Sequence, residues 1–280
     1  MKYDSVFLAY VFFGGIALVV LWEWLAPRRE LTVSLRTRWS GNFALYIIDN
    51  LAIRFVFPLM SIGFAFWTLD RGWGILELVT VPHWIAVAVS IVLLDFSKYL
   101  QHFFLHHVPL LWRFHKIHHA DQDYDFTTGL RFHPGEAIFT VLILFGSIAI
   151  LGPPVIAVFI HETISVAHAL VVHGNVRVPT SLDRLIRFVV ITPDVHRIHH
   201  SIVVSELNSN FGALVPWWDR LLGTYQDQPA AGHKGMTIGL AGCRDRKHLG
   251  LAWALAEPFR RRHPKKAMTS TPRVIHSPTD

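Results

Sequence analysis

Residues 95–121 read DFSKYLQHFFLHHVPLLWRFHKIHHAD, and their periodicity decides what kind of chain this is. His102 and His106 are four apart, so on a helix they share one face, a turn from each other. His115, His118 and His119 take positions i, i+3 and i+4 and share another. The residues just before, 83–105, are apolar enough for a bilayer crossing, so the first pair falls where a span ends. Downstream, HRIHH at 196–200 repeats the pattern with His196, His199 and His200. Thirteen of the 18 histidines lie between His102 and His200.

The 280-residue chain is 52% hydrophobic and only 16% charged, against about 25% charged in ordinary soluble domains. Apolar blocks at 5–26, 42–68, 83–105, 136–151 and 154–173 predict an all-α, polytopic membrane protein of about four to five spans. Pro58 should kink the second span, and Gly152-Pro153 suits a tight turn between the last two. The first block carries Glu23 and is followed by Arg28 and Arg29 rather than a small-residue cleavage site, so it reads as a retained span. The net charge of +6 gathers after the first, third and fifth spans, which predicts an outside amino terminus and a cytoplasmic histidine-rich helical cap. Such juxtamembrane charge needs no nucleic acid to explain it. One cysteine, Cys243, excludes an intrachain disulfide and thiolate-ligated clusters. Residues 1–80 read as scaffold, 81–227 as the functional domain, and 228–280 as a cytoplasmic segment largely disordered from about residue 256.

Buried imidazoles need partners, and three helical faces of them at chelating spacing converge most economically on metal. All-nitrogen ligation suits Zn, Cu, Fe or Ni, and eight histidines exceed one tetrahedral ion and fit two. Neither HKIHH nor HRIHH supplies the glutamate of a zinc hydrolase. The pattern therefore favours redox chemistry on iron, with a zinc-dependent membrane hydrolase and a non-catalytic metal-binding membrane protein as alternatives. Asp95 precedes His102 by seven residues on the same face. It is expected to accept from an imidazole N–H, with Lys98 as the alternative partner.

The order HFFLH, HKIHH, HRIHH, together with RFHPGE (131–136), HGNVRVP (173–179), TPDVHRIHHS (192–201) and NFGALVPWWDRLLGTY (210–225), resembles the fatty acid hydroxylase and sterol desaturase superfamily. Phe103 departs from the basic residue expected after the first histidine. The resemblance implies a membrane-bound non-haem di-iron oxidoreductase that uses O2 to hydroxylate or desaturate a lipid, fatty acyl or sterol. It also implies a ferredoxin- or cytochrome b5-type carrier with its reductase as separate electron donor. The implied ligands are His102, His106, His115, His118, His119, His196, His199 and His200, joined by His173 and then His168, with Asn175 in support. His161 reads as core or as support to a ligand and His133 as holding a loop, with metal ligation as the alternative for both. Arg113, Lys116, Arg184, Arg187, Arg197 and Arg220 form the expected docking face for an acidic carrier.

Overall fold

In the computed structural model, which describes residues 2–260, the chain is helical, with no strand among the described residues and two isolated β-bridges. Nine helices position the site: α1 (Lys2–Leu25), α2 (Leu35–Val56), α3 (Ser61–Leu69), α4 (His83–His107), α5 (Pro109–His119), α6 (Pro134–Leu151), α7 (Val155–Val172), α8 (Thr180–Ile186) and α9 (Pro193–His199). Among the described residues five stretches are long and apolar enough to cross a membrane: Val6–Leu25, Leu35–Leu69, His83–His107, Pro134–Leu151 and Val155–Val172. Pro58 does more than kink the second; the helix stops at Val56 and restarts at Ser61. Proline removes a backbone donor and clashes with the preceding turn, and two short helices with their own ends avoid both.

Helix starts follow the proline positions. Pro109, Pro134 and Pro193 each stand in the first turn of α5, α6 and α9, where a missing N–H costs nothing. Gly152 closes α6 at φ 61°, and Gly74 packs so closely on it that a side chain at either position would strike backbone. Ser97 Oγ lies 2.6 Å from Ser147 Oγ, and Gln101 Nε2 donates to Thr140 at 2.6 Å, which sets α4 antiparallel to α6. Leu94 packs with Val158, and Lys98 lies 3.7 Å from Glu162, so α4 and α7 run parallel. Both end at the histidines.

The N-terminal spans are more than scaffold. Fully buried Arg38 of α2 holds Asp121 through two nitrogens at 2.7 and 2.8 Å and also bonds Asp125. Burial works against the Asp121 charge, but the Arg38 guanidinium overrides it and holds that carboxyl at about 2. Asn42 donates to Asp121 and Thr127, and accepts from Arg131 at 2.9 Å. This network fixes the 120–131 loop behind α5. At the far end of the described chain, residues 257–259 form a helical turn where disorder was expected, and Glu257 accepts from Lys116 at 2.5 Å. The rest of the expected disordered tail, 261–280, lies outside the described residues.

Candidate metal centre

Nine of the ten histidines expected to bind metal come together, in two groups. His102 and His106 from the end of α4, His115 and His119 from α5, and His199 from α9 form the first. His118 from α5, His173 capping α7, and His196 and His200 from α9 form the second. Within each group one nitrogen per ring lies within 4.8 Å of all the others. The i, i+3, i+4 spacing of α5 and α9 sends neighbouring rings to different groups, so each helix serves both.

Outward hydrogen bonds fix how the rings point. His115 Nδ1 donates to Glu136 Oε1 at 2.7 Å, His102 Nδ1 to the Phe211 carbonyl at 2.9 Å, and His199 Nδ1 to the Ser209 carbonyl at 2.7 Å. His173 Nδ1 donates to the Ala169 carbonyl at 2.8 Å. A neutral imidazole has one proton, so each of these four turns an Nε2 lone pair inward. The Nε2 atoms of His102 and His199 are buried without a partner. Elsewhere nitrogens face nitrogens. His119 Nε2 is 3.1 Å from both His106 Nε2 and His115 Nε2, and His196 Nε2 is 3.1 Å from His173 Nε2 and 3.3 Å from His200 Nε2. An ion about 2.0–2.1 Å from each nitrogen spaces adjacent ligands by about 3.0–3.4 Å, so these separations fit a shared ion in each group.

Electrostatics agree. Burial first, and neighbouring imidazoles second, push His118, His119, His196 and His200 well below the usual histidine range. Burial likewise brings His173 to about 4 and His199 to about 3. These six rings are neutral at pH 7, the state a metal requires. Packed aromatics shield them: Phe132 stacks on His118 at 4.5 Å between centroids, and Phe211 lies edge-on to His106 at 5.1 Å.

Other expectations need correction. His168 stands apart from both groups, its Nε2 2.8 Å from the Ile191 carbonyl. It lies five residues before His173, about 140° around a regular helix, which turns it away. Among the described residues no hydrogen bond joins Asp95 to an imidazole or to Lys98; it accepts from the Leu214 N–H at 3.0 Å and the Trp218 indole at 2.8 Å. Asn175 exchanges hydrogen bonds with the Arg29 backbone at 3.2 and 2.8 Å, latching the end of α1 rather than orienting a ligand. The carboxylate that orients a candidate ligand is Glu136, inside RFHPGE, which the sequence reading does not single out. His133 caps α6, accepting from Gly135 N–H at 2.9 Å, and His161 is buried near Glu162. The expected docking face loses three of its six cations. Lys116 is buried against Glu257, Arg187 against Asp183 and Asp227, and Arg197 against Asp194.

Residues 87–224 match the family model described as fatty acid hydroxylase. The chain is 31% identical over 191 residues to the ornithine lipid hydroxylase OlsE of Rhizobium tropici, covering 68% of this chain and 55% of that protein. It is 27% identical over 134 residues to the alkylglycerol monooxygenase of Homo sapiens, covering 47% of this chain and 28% of that protein. To the cholesterol 25-hydroxylase of Mus musculus it is 27% identical over 150 residues, covering 51% and 47%. The chain thus spans about half the length, or less, of these relatives. No solved structure matches it.

Proposed function

Because this chain belongs to the fatty acid hydroxylase family, we propose that it is a membrane-bound di-iron oxygenase that hydroxylates a C–H bond of a bilayer lipid. The observation that carries the reading is the pair of adjoining nitrogen-only groups whose lone pairs converge. The nine histidines would hold two irons, which would supply O2 activation and the oxidising power to hydroxylate an unactivated carbon. Per turnover, O2, two electrons and two protons give one new hydroxyl and one water.

The chain's own residues set up that chemistry. Glu136 and the carbonyls of Ala169, Ser209 and Phe211 hold four rings in the tautomer that offers Nε2. The Arg38–Asp121–Asp125 network anchors α5 from behind. Phe132, Phe211 and Tyr124 keep water from the centre, and Tyr124 donates to the Val172 carbonyl at 2.8 Å, pinning the end of α7 beside His173. Residues 81–227 constitute the catalytic unit, and the histidine face is cytoplasmic. Electrons come from a separate ferredoxin- or cytochrome b5-type carrier. A lipid is favoured as substrate because the groups lie where α4 and α7 end, and the named relatives act on ornithine lipid, alkylglycerol and cholesterol. Neither histidine motif carries the glutamate of a zinc hydrolase's HExxH, and Glu136 Oε1 accepts from His115 Nδ1.

The test is lipid analysis of cells with and without the protein under 18O2, with elemental analysis of the purified chain. A lipid gaining one 18O atom and two irons per chain are the expected results. Oxygen drawn from water, or one metal per active chain, would overturn the reading; loss of two hydrogens would instead assign desaturation.

A further inference from the structure

Outside the candidate spans, the largest exposed apolar side chains of two segments adjoin. Leu185, Phe188 and Val189 are 68%, 59% and 57% exposed, and Leu221 and Leu222 are 75% and 51% exposed. The segments are tied together: Trp217 Nε1 donates to the Phe188 carbonyl at 2.9 Å, Ile191 N–H to the Leu214 carbonyl at 2.8 Å, and the Arg220 guanidinium lies 5.2 Å from the Phe188 ring. An apolar surface of this kind on a water-facing cap is a liability.

Its attachments fix its level. Asp95, which holds Leu214 and Trp218, lies twelve residues before the end of α4, about 18 Å along the helix at 1.5 Å per residue. His168, beside Ile191, lies four residues before the end of α7, about 6 Å along it. Even with a typical tilt of about 20° these depths shrink by less than a tenth. The paired segments therefore descend alongside α4 and α7, beside stretches apolar enough to cross a bilayer.

We propose that residues 180–190 and 214–222 form a lipid-embedded element whose exposed apolar side chains contact the acyl chains of one leaflet. Lipid tolerates non-spanning backbone only where its polar groups are satisfied internally. The five N–H groups from Arg187 to Ile191 all have backbone acceptors: the carbonyls of Asp183, Leu185, Ile186, Ile186 again and Leu214. Two of the charges are turned inward, Asp183 and Arg187 pairing with each other in a buried site. Arg220 is exposed, but its guanidinium stacks 3.9 Å over the Tyr225 ring and donates to the Arg187 carbonyl at 3.4 Å. Arg184, exposed on α8, has the reach to meet lipid phosphates. The segment expected to belong to an aqueous cap is instead a wall of the lipid phase, and Phe211, three residues before Leu214, touches the histidines.

The experiment places a single cysteine at Leu185 or Leu221 in the full-length Cys243→Ser chain, labels it with an environment-sensitive fluorophore, and reconstitutes the protein in phosphatidylcholine vesicles. Phosphatidylcholine brominated at mid-chain should remove most of the signal, and aqueous iodide little of it. A label at Asp245, exposed on another surface, should respond to iodide and ignore bromine. Quenching of the Leu185 and Leu221 labels by iodide, or by neither agent, overturns the proposal: the first result means water, the second a covering protein or second copy.

Discussion

Replacing Glu136 by glutamine isolates what one carboxylate does for the metal. Glu136 is buried, and its Oε1 accepts from His115 Nδ1 at 2.7 Å. Glutamine keeps the length and leaves a carbonyl oxygen to accept the same proton, so the ring keeps its tautomer and place. Only the charge is lost. Hydrogen bonds to charged groups contribute about 1.5–3 kcal/mol and neutral ones about 0.5–1.5, so the difference is on the order of 1–1.5 kcal/mol. At about 1.4 kcal/mol per decade, metal should bind the first histidine group about 5- to 12-fold more weakly. Glu136→Ala also strands the imidazole N–H, so the loss should move toward the upper end of the 10- to 100-fold range for partners of metal ligands. The assay is metal retained against a graded chelator series, read by elemental analysis. Metal retention by Glu136→Gln within two-fold of wild type, with Glu136→Ala no weaker, would refute the idea that this carboxylate tunes the site.

Three further outcomes follow from named contacts. His168→Ala should keep the wild-type metal content, while His173→Ala should lose metal from the second group; equal loss in both variants would mean that α7 presents His168 to the ions. Arg38→Met should cost about 3–5 kcal/mol, because it leaves the Asp121 and Asp125 carboxylates buried without their cation; a melting temperature in detergent unchanged from wild type contradicts this. His233 is lowered from 6.5 to about 4, by burial and then by Arg197, Arg28 and Arg187 against the pull of Asp194. The unfolded chain therefore takes up the proton first as pH falls. The stability His233 contributes is present above pH 6.5 and lost as pH falls from there toward 4. A His233→Asn variant should show a shallower loss of melting temperature across that window, and an identical slope counts against a neutral His233.

What was legible in the sequence was local. The i, i+3, i+4 spacing of HKIHH and HRIHH placed those rings on helices, and the apolar blocks located the spans to within a few residues apart from the start of the second. Partners far along the chain were not legible. Asp95 meets Leu214 and Trp218, 119 and 123 positions away, and nothing in the local pattern separates that from a bond to a nearby histidine. Arg38 meets Asp121 across 83 positions, which hid the part played by α2. The ion pairs Asp183–Arg187 and Asp194–Arg197 are local and legible: they stand at i, i+4 and i, i+3, spacings at which opposite charges pair on a helix, which argues against a free surface for those arginines.

The division of labour among the helices has a consequence for how the protein is made. Each group takes residues from α9, and α9 follows every candidate span in the chain. A ribosome delivering this protein hands over all five crossings before His196, His199 and His200 have emerged. Insertion must therefore succeed with the α4, α5 and α7 imidazoles waiting empty. On the di-iron reading, ion loading would close biogenesis, and a chain stalled before residue 196 carries four of the five histidines of the first group but only two of the four of the second.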